Sequence, residues 1–420
     1  MMDATMASHQ LHPPPREALE RFDLRRVDLV PHVTGDHGAQ IATATDCDDG
    51  AVSVEQGLVW PNSASAANSD PWLIANHDRI RSMQPRVLVV NFVHGLSESE
   101  ARAKVQWLCR ALHESSRWQG FRDPAAPACL DCRVFHIADL TEPRGEVDRN
   151  SARFPRAADG VGFDYGALHE LRLYDGLRLD ELAERGLVNE VWLLADHTAH
   201  SAPWETVEVK RAYDRDFRPL GFERQAGNSG VHDAPWIGRS LRILFVNFAR
   251  GVGCAMESLG HSLERMATCG ALPYYERYFR EFAMLDLDRR FGLPFESLYG
   301  RDHPVAYPTP STLRYRTGRR RHTVRDYVAA GGNVHFMPNG RHDYDLDNRA
   351  PVLSTIETWR QPGLVARPWT PDILDRYRDL APDCMGRWVI YWRQNMPGLD
   401  NTALDDDGRP MKNWWPFLFY

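Results

Sequence analysis

Residues Leu241–Met266 read LRILFVNFARGVGCAMESLGHSLERM, and the fold turns on how this stretch divides. Leu241 to Phe248 is an apolar run of strand length, suited to a strand covered on both faces. Arg250, Gly251 and Gly253 then make a tight glycine turn, and a helix follows. That helix carries Glu257, His261 and Glu264, which at about 100° per residue fall within about 60° of one another. Ala255, Leu259, Leu263 and Met266 take the opposite face. A strand, a glycine turn and a helix in this order make the repeating unit of an open parallel α/β sheet. Ligands of such sheets sit where strands end and helices begin.

Three further runs read as strands of the same sheet: RVLVVNF from Arg86, CRVFHIADL from Cys132 and NEVWLLAD from Asn189. Ser97-Glu-Ser-Glu100 is a capping box that opens a helix carrying Val105, Leu108 and Leu112 at helical spacing. A second helix is expected over Gly166–Arg185, weakened at Gly176. Gly331–Phe336, stopped by Pro338, reads as a fifth strand. The long segment Thr198–Ser240 is expected to be functional or to carry structure of its own.

Strands alternating with helices predict an α/β fold, a Rossmann-like mostly parallel sheet with helices on both faces. Residues 1–84, with Pro13–Pro15, His32 and His37, read as an irregular N-terminal extension. Residues 85–350 form the core domain. Residues 351–420 form a tail rich in tryptophan (Trp359, Trp369, Trp388, Trp392, Trp414, Trp415), expected to pack on that core.

Composition narrows the function. With 43% hydrophobic and 25% charged residues the chain is globular, and no apolar run is long enough to span a bilayer. The N-terminus lacks a basic and then apolar leader, so a cytoplasmic location is the expectation. Seven cysteines, an odd and sparse number, suit reduced thiols, and Cys129-x-x-Cys132 supplies at most half of a structural zinc site. A net charge of −7 argues against nucleic acid as a partner. The only lysines are Lys104, Lys210 and Lys412, and no P-loop is present. H-E-x-x-H and G-x-S-x-G are also missing, and Met256 breaks a G-x-G-x-x-G pattern.

The strand ends carry the functional signal. His94, Asp139, Asp196-His197, Arg250, and His335 with Asn339 close successive strands, so a parallel sheet crowds them at one edge. One imidazole and two carboxylates on the Glu257–Glu264 face could ligate a divalent metal. An amphipathic helix would point the same residues at water. The metal reading therefore requires a segment that covers this face. Asn333–Asn348, NVHFMPNGRHDYDLDN, is the natural one. Its Asp343-x-Asp345-x-Asp347 run is not an EF-hand, since Asn348 and Ser354 stand where Gly and Glu are needed. A network of Asx turns is the alternative reading of that run. The arginine cluster from Arg314 to Tyr327 reads as a solvated face.

From Val188 onward the chain resembles a family of largely uncharacterised bacterial proteins with three shared motifs. These are V-x-E-V-W (Val188–Trp192), R-G-V-G-x-x-x-E-x-x-G-H-x-x-E (Arg250–Glu264) and G-N-V-H-F-x-P-N (Gly332–Asn339). The resemblance covers about half the chain and implies Glu257, His261, Glu264, His335 and Asn339 as a set, without naming a reaction. This sequence departs from the family pattern at Asp196–His200.

The resulting expectation is a metal-dependent hydrolase acting on an amide or ester bond of a peptide, glycan or natural product. His261, Glu264 and His335 would bind the ion, zinc by ligand type. Glu257 would act as general base or further ligand, Arg250 would hold a substrate anion, and Asn339 would complete the site. Two alternatives stand beside it. One is a non-catalytic glycan- or peptide-binding protein. The other is a metal-free transferase with an anion site at Arg250–Gly253.

Overall fold

The computed structural model describes residues 57–65, 69–142, 149–229, 234–293, 305–363 and 365–420. Contacts divide the chain into residues 1–48 and 49–420, and every described residue belongs to the second unit. Pro13–Pro15, His32 and His37 lie outside the described residues.

Six strands build the central sheet: β1 (Arg86–Asn91), β2 (Arg133–Asp139), β3 (Glu190–Ala195), β4 (Thr206–Tyr213), β5 (Pro219–Gln225) and β6 (Leu241–Asn247). Their order is β2-β1-β3-β6-β4-β5. The first four run parallel, as their continuous apolar sequences predict. β4 is antiparallel to β6, and β5 to β4, so the sheet is mixed. The reason lies in the connection. Only residues 196–205 separate β3 from β4, and no helix lies among them. A parallel crossover needs a dozen or more residues. The Thr198–Ser240 segment thus carries the β4–β5 hairpin.

Side chains alternate across the sheet. Val87, Val89, Trp192, Leu194, Leu244 and Val246 enter one core. Leu88, Val90, Val191, Leu193, Ile243 and Phe245 enter the other. Each fully buried aliphatic side chain contributes about 1.5–3 kcal/mol, which is why both faces demand apolar runs. The first core is closed by helices α1 (Glu98–Ser115), α4 (Val252–Met266), α5 (Pro273–Phe282) and α6 (Gly386–Gln394). The second is closed by two short helices, α2 (Tyr165–Glu170) and α3 (Leu179–Glu184). Helices therefore cover both faces.

The capping box of α1 forms as read, with Ser97 N–H donating to Glu100 (3.0 Å) and Glu100 N–H to the Ser97 hydroxyl (3.3 Å). The helix expected over Gly166–Arg185 is instead α2 and α3, separated by a turn at Asp175 and Gly176, both at positive φ. In the V-x-E-V-W motif, Glu190 pairs with Arg242 across the parallel register (3.0 Å) and accepts from Trp192 Nε1 (3.0 Å). Those motif residues are a buried ion pair and its brace.

Three more expectations change. The N-terminal stretch is regular from residue 58: strands Leu58–Trp60 and Ile80–Met83 pair in parallel around a helix over Ser69–Asn76. Gly331–Phe336 is a chain of bends, because Gly332 takes φ +70° and Asn333 closes a turn onto Phe336. Arg314–Tyr327 holds a β-hairpin whose arginines are exposed, as a solvated face requires. The tail packs on the core through buried Trp359, Trp388, Trp392, Trp414 and Trp415. Among the described residues no helix is long and apolar enough to cross a membrane.

Candidate metal centre

α4 is buried on both sides. Leu259, Leu263 and Met266 face the sheet core, while Glu257 and His261, each about 5–6% exposed, are covered by the Gly331–Tyr344 segment. That cover is fixed from behind by the tail. Trp392 Nε1 donates to Gly332 O (3.0 Å) and Trp388 Nε1 to Asn333 O (3.0 Å). Gly260 makes the approach possible: a Cβ there would stand 2.7 Å from Val334 Cγ2. The helix N-terminus crosses α6 just as closely, since a Cβ on Gly386 would meet Gly253 Cα at 2.4 Å.

The covering turn delivers His335 to the helix face. His335 Nε2 lies 3.0 Å from Glu257 Oε1 and 3.2 Å from His261 Nε2. Ligand atoms of Glu257, His261 and His335 all fall within 4.8 Å of one another. The three buried groups form a set that could hold a metal ion. Glu264 stands one step behind it. Its Oε2 accepts from His261 Nδ1 (3.0 Å) and its Oε1 from Val334 N–H (3.0 Å). One carboxylate thus orients the His261 ring, turning Nε2 inward, and anchors the backbone beside His335. Carboxylates in this position fix tautomer and ring orientation at metal-bound histidines.

Electrostatics follow from burial and proximity. Burial alone would lower the His261 imidazole, but Glu205, Glu264 and Glu257 together raise it to about 9. Burial would raise the Glu257 carboxyl, yet the hydrogen bond and charge of His335, helped by His261, hold it below the usual range. Tyr344 closes the outer side. Its hydroxyl donates to Glu257 Oε1, and its ring lies 4.4 Å from that of His335. Burial, and then the Glu257 charge, push the phenol well above its ordinary value. Tyr344 is 46% exposed and sits at φ +62°, a strained conformation of the kind that clusters at functional sites.

No protein-family model and no curated protein matches the chain.

The remaining sequence candidates go elsewhere. Asn339 is fully buried and its amide group donates to Asn348 O (2.7 Å) and Ala350 O (2.8 Å), a loop brace rather than a member of the Glu–His–His group. The nest at Gly251–Gly253 is occupied from within. Asp383 accepts from Gly251 N–H (2.9 Å) and Gly253 N–H (2.8 Å), and a Cβ on either glycine would collide with it. An anion site for a metal-free transferase has no room there. Arg250 donates to Cys384 Sγ (2.7 Å). Asp345 accepts from the Arg341 backbone N–H and pairs with its guanidinium, a contact four residues back rather than an Asx turn. His94 and Asp139 end on the surface, and His197 is half-buried. Cys129 and Cys132 are buried free thiols, and burial pushes Cys129 up to about 12.

Two residues that bear on the site, Glu205 and Tyr344, carry no local signal in the sequence. Glu205 lies just before β4 and accepts from Asn228 Nδ2 (2.7 Å). Because β4 runs antiparallel, its start meets the end of β6, and only knowledge of that reversal brings Glu205 to α4. Tyr344 was hidden among the aspartates around it.

Proposed function

We propose that the protein is a metal-dependent hydrolase whose ion is held by Glu257, His261 and His335. The observation that supports this most directly is the spacing of the donor atoms. At zinc–nitrogen bonds of about 2.0–2.1 Å, tetrahedral ligands stand about 3.3 Å apart. Two of the three separations, 3.0 and 3.2 Å, lie close to that edge length, and all three fall within 4.8 Å. Two imidazoles and a carboxylate favour zinc and leave a fourth position for water or substrate.

When bound, the ion would supply an activated water and polarise a carbonyl oxygen. The protein's own groups divide the remaining work. Glu264 fixes the two histidines in register. Glu257, expected as base or ligand, serves as ligand. Asp343 lies 4.0 Å from His335 Nδ1, and the charge of Glu205 bears on both His261 and Tyr344. Glu205 would accept a proton from a water at the site. The Tyr344 hydroxyl, which donates to Glu257 Oε1, would be the group placed to donate to a substrate oxygen or leaving group. An amide or ester of a peptide, glycan or natural product fits this chemistry.

A non-catalytic binding protein would need an aromatic cap without convergent carboxylates. Tyr344 does cap the helix, but Glu257 and Glu264 converge beneath it, and that favours the metal reading. Equilibrium dialysis against zinc tests the proposal. One equivalent per chain is expected in the wild type, with loss in His261→Ala and in His335→Ala. A folded wild type that takes up neither zinc nor cobalt overturns it.

A further inference from the structure

Beside the Glu–His–His group lies a pair of sulfurs that the proposed hydrolysis does not use. Cys254 is the third residue of α4, one turn before Glu257. Cys384 lies in the turn that precedes α6. Their backbones meet at the neighbouring residues: a Cβ on Gly253 would stand 2.8 Å from the Asp383 carbonyl carbon. The two thiols lie close enough for their side chains to interact. Neither is fully buried.

One cation, Arg250, reaches both sulfurs, while Asp383 accepts from the Cys384 thiol (3.6 Å) and brings negative charge beside it. Arg250 donates from Nη2 to Cys384 Sγ at 2.7 Å, its only hydrogen bond from the guanidinium among the described residues. The same guanidinium is drawn to Cys254, which also sits in the first turn of α4, at the positive end of the helix dipole. Cys384 is held at φ +47°, a left-handed conformation that a cysteine adopts only under constraint. The other described cysteines lack this setting. Burial pushes Cys109 and Cys129 up to about 12 and raises Cys132 and Cys269. Cys384 is also raised well above its ordinary value, by Cys254 first and then by burial. What sets the pair apart is its shared contact with Arg250 and the close approach of the two backbones.

We propose that Cys254 and Cys384 form a redox-active dithiol that a peroxide converts to a disulfide. The thiolate of Cys254 attacks one oxygen of hydrogen peroxide, the O–O bond breaks, and hydroxide leaves and takes a proton to become water. The sulfenic acid so formed is attacked by the Cys384 sulfur. The S–O bond breaks, a second water leaves, and the S–S bond forms. Both thiol protons end in water, and the peroxide is reduced by the two electrons the sulfurs lose. The product ties the first turn of α4 to the turn before α6 and removes the thiol that Arg250 holds.

The inference stands whether or not the Glu–His–His group binds a metal. Its test is peptide mapping by mass spectrometry of the intact, folded chain treated with hydrogen peroxide. The expected result is a linked peptide joining Cys254 to Cys384, lighter by two hydrogens than the reduced pair and restored by dithiothreitol. C254S and C384S should each abolish it, and C109S should leave it in place, with far-UV circular dichroism to confirm folding. If either serine variant fails to fold, the wild-type map still decides. Peroxide that leaves both thiols free, links other cysteines, or drives one of the pair to an unlinked sulfinic acid overturns the proposal.

Discussion

His261 and His335, 74 residues apart in sequence, present their Nε2 atoms to each other at 3.2 Å with their rings nearly perpendicular (85°). Two imidazole nitrogens in a buried site at this distance can share one proton, or each can give a lone pair to the same cation. The adjoining Glu257 oxygen, 3.0 Å from His335, serves either arrangement, as partner to an imidazolium or as an anionic ligand.

Glu264→Gln should separate ligation from orientation. Glutamine offers one acceptor oxygen where Glu264 satisfies two donors, His261 Nδ1–H and Val334 N–H. The expected outcome is a zinc affinity roughly 10–100-fold weaker with the three ligands still present. Isothermal titration with zinc measures it, and an unchanged affinity would remove Glu264 from its supporting role.

The Gly251–Gly253 nest should bind external anions only after its internal one is removed. Asp383→Ala takes away the carboxylate that caps the first turn of α4, at a cost of about 0.5–2 kcal/mol. Phosphate should then raise the melting temperature of the variant and leave that of the wild type unchanged. Equal stabilisation of both would mean that Asp383 does not fill the nest in solution.

Gly260→Val tests the closeness of α4 to the covering turn. A Cβ alone would come within 2.7 Å of Val334, and two further methyls have no space. Overpacking of this kind costs about 1–3 kcal/mol, and here it should also displace His335 and lower zinc uptake. Thermal denaturation and dialysis together check it. Loss of stability with full zinc binding would place the strain elsewhere.

His77 gives stability an acid limb. Its ring is held between the Tyr420 hydroxyl (2.6 Å, Nδ1) and Asn413 O (2.8 Å, Nε2). Burial, aided by the Lys412 charge, lowers the imidazole from 6.5 to about 4. The folded chain therefore favours the neutral ring. Its contribution is complete above pH 6.5 and is lost as pH falls from there through 4, an effect on the order of 3 kcal/mol. The melting temperature of the wild type should fall more steeply across that window than that of His77→Gln. Parallel curves would exclude His77 as the group responsible.

The sequence by itself determined the four parallel strands, the capped helix α1 and the helix that carries Glu257, His261 and Glu264. These rest on local pattern: apolar runs of strand length, Ser97 with Glu100, and helical spacing. It also named the covering segment and His335 within it, because a polar helix face can be a site only if something lies over it. Only the tertiary structure decided which carboxylate meets the histidines. Glu257 and Glu264 share one helix face, and sequence spacing cannot tell the one that reaches His335 Nε2 from the one that turns back to His261 Nδ1. Glu205, Tyr344 and Asp383 were beyond sequence reading for the same reason. Each arrives from a distant segment, through the antiparallel β4, a left-handed residue in a loop, and a turn held against Gly253. A one-dimensional pattern records periodicity within an element. Which element lies over which is set by packing, and here it was set by two glycines without side chains and two tryptophans that pin a turn.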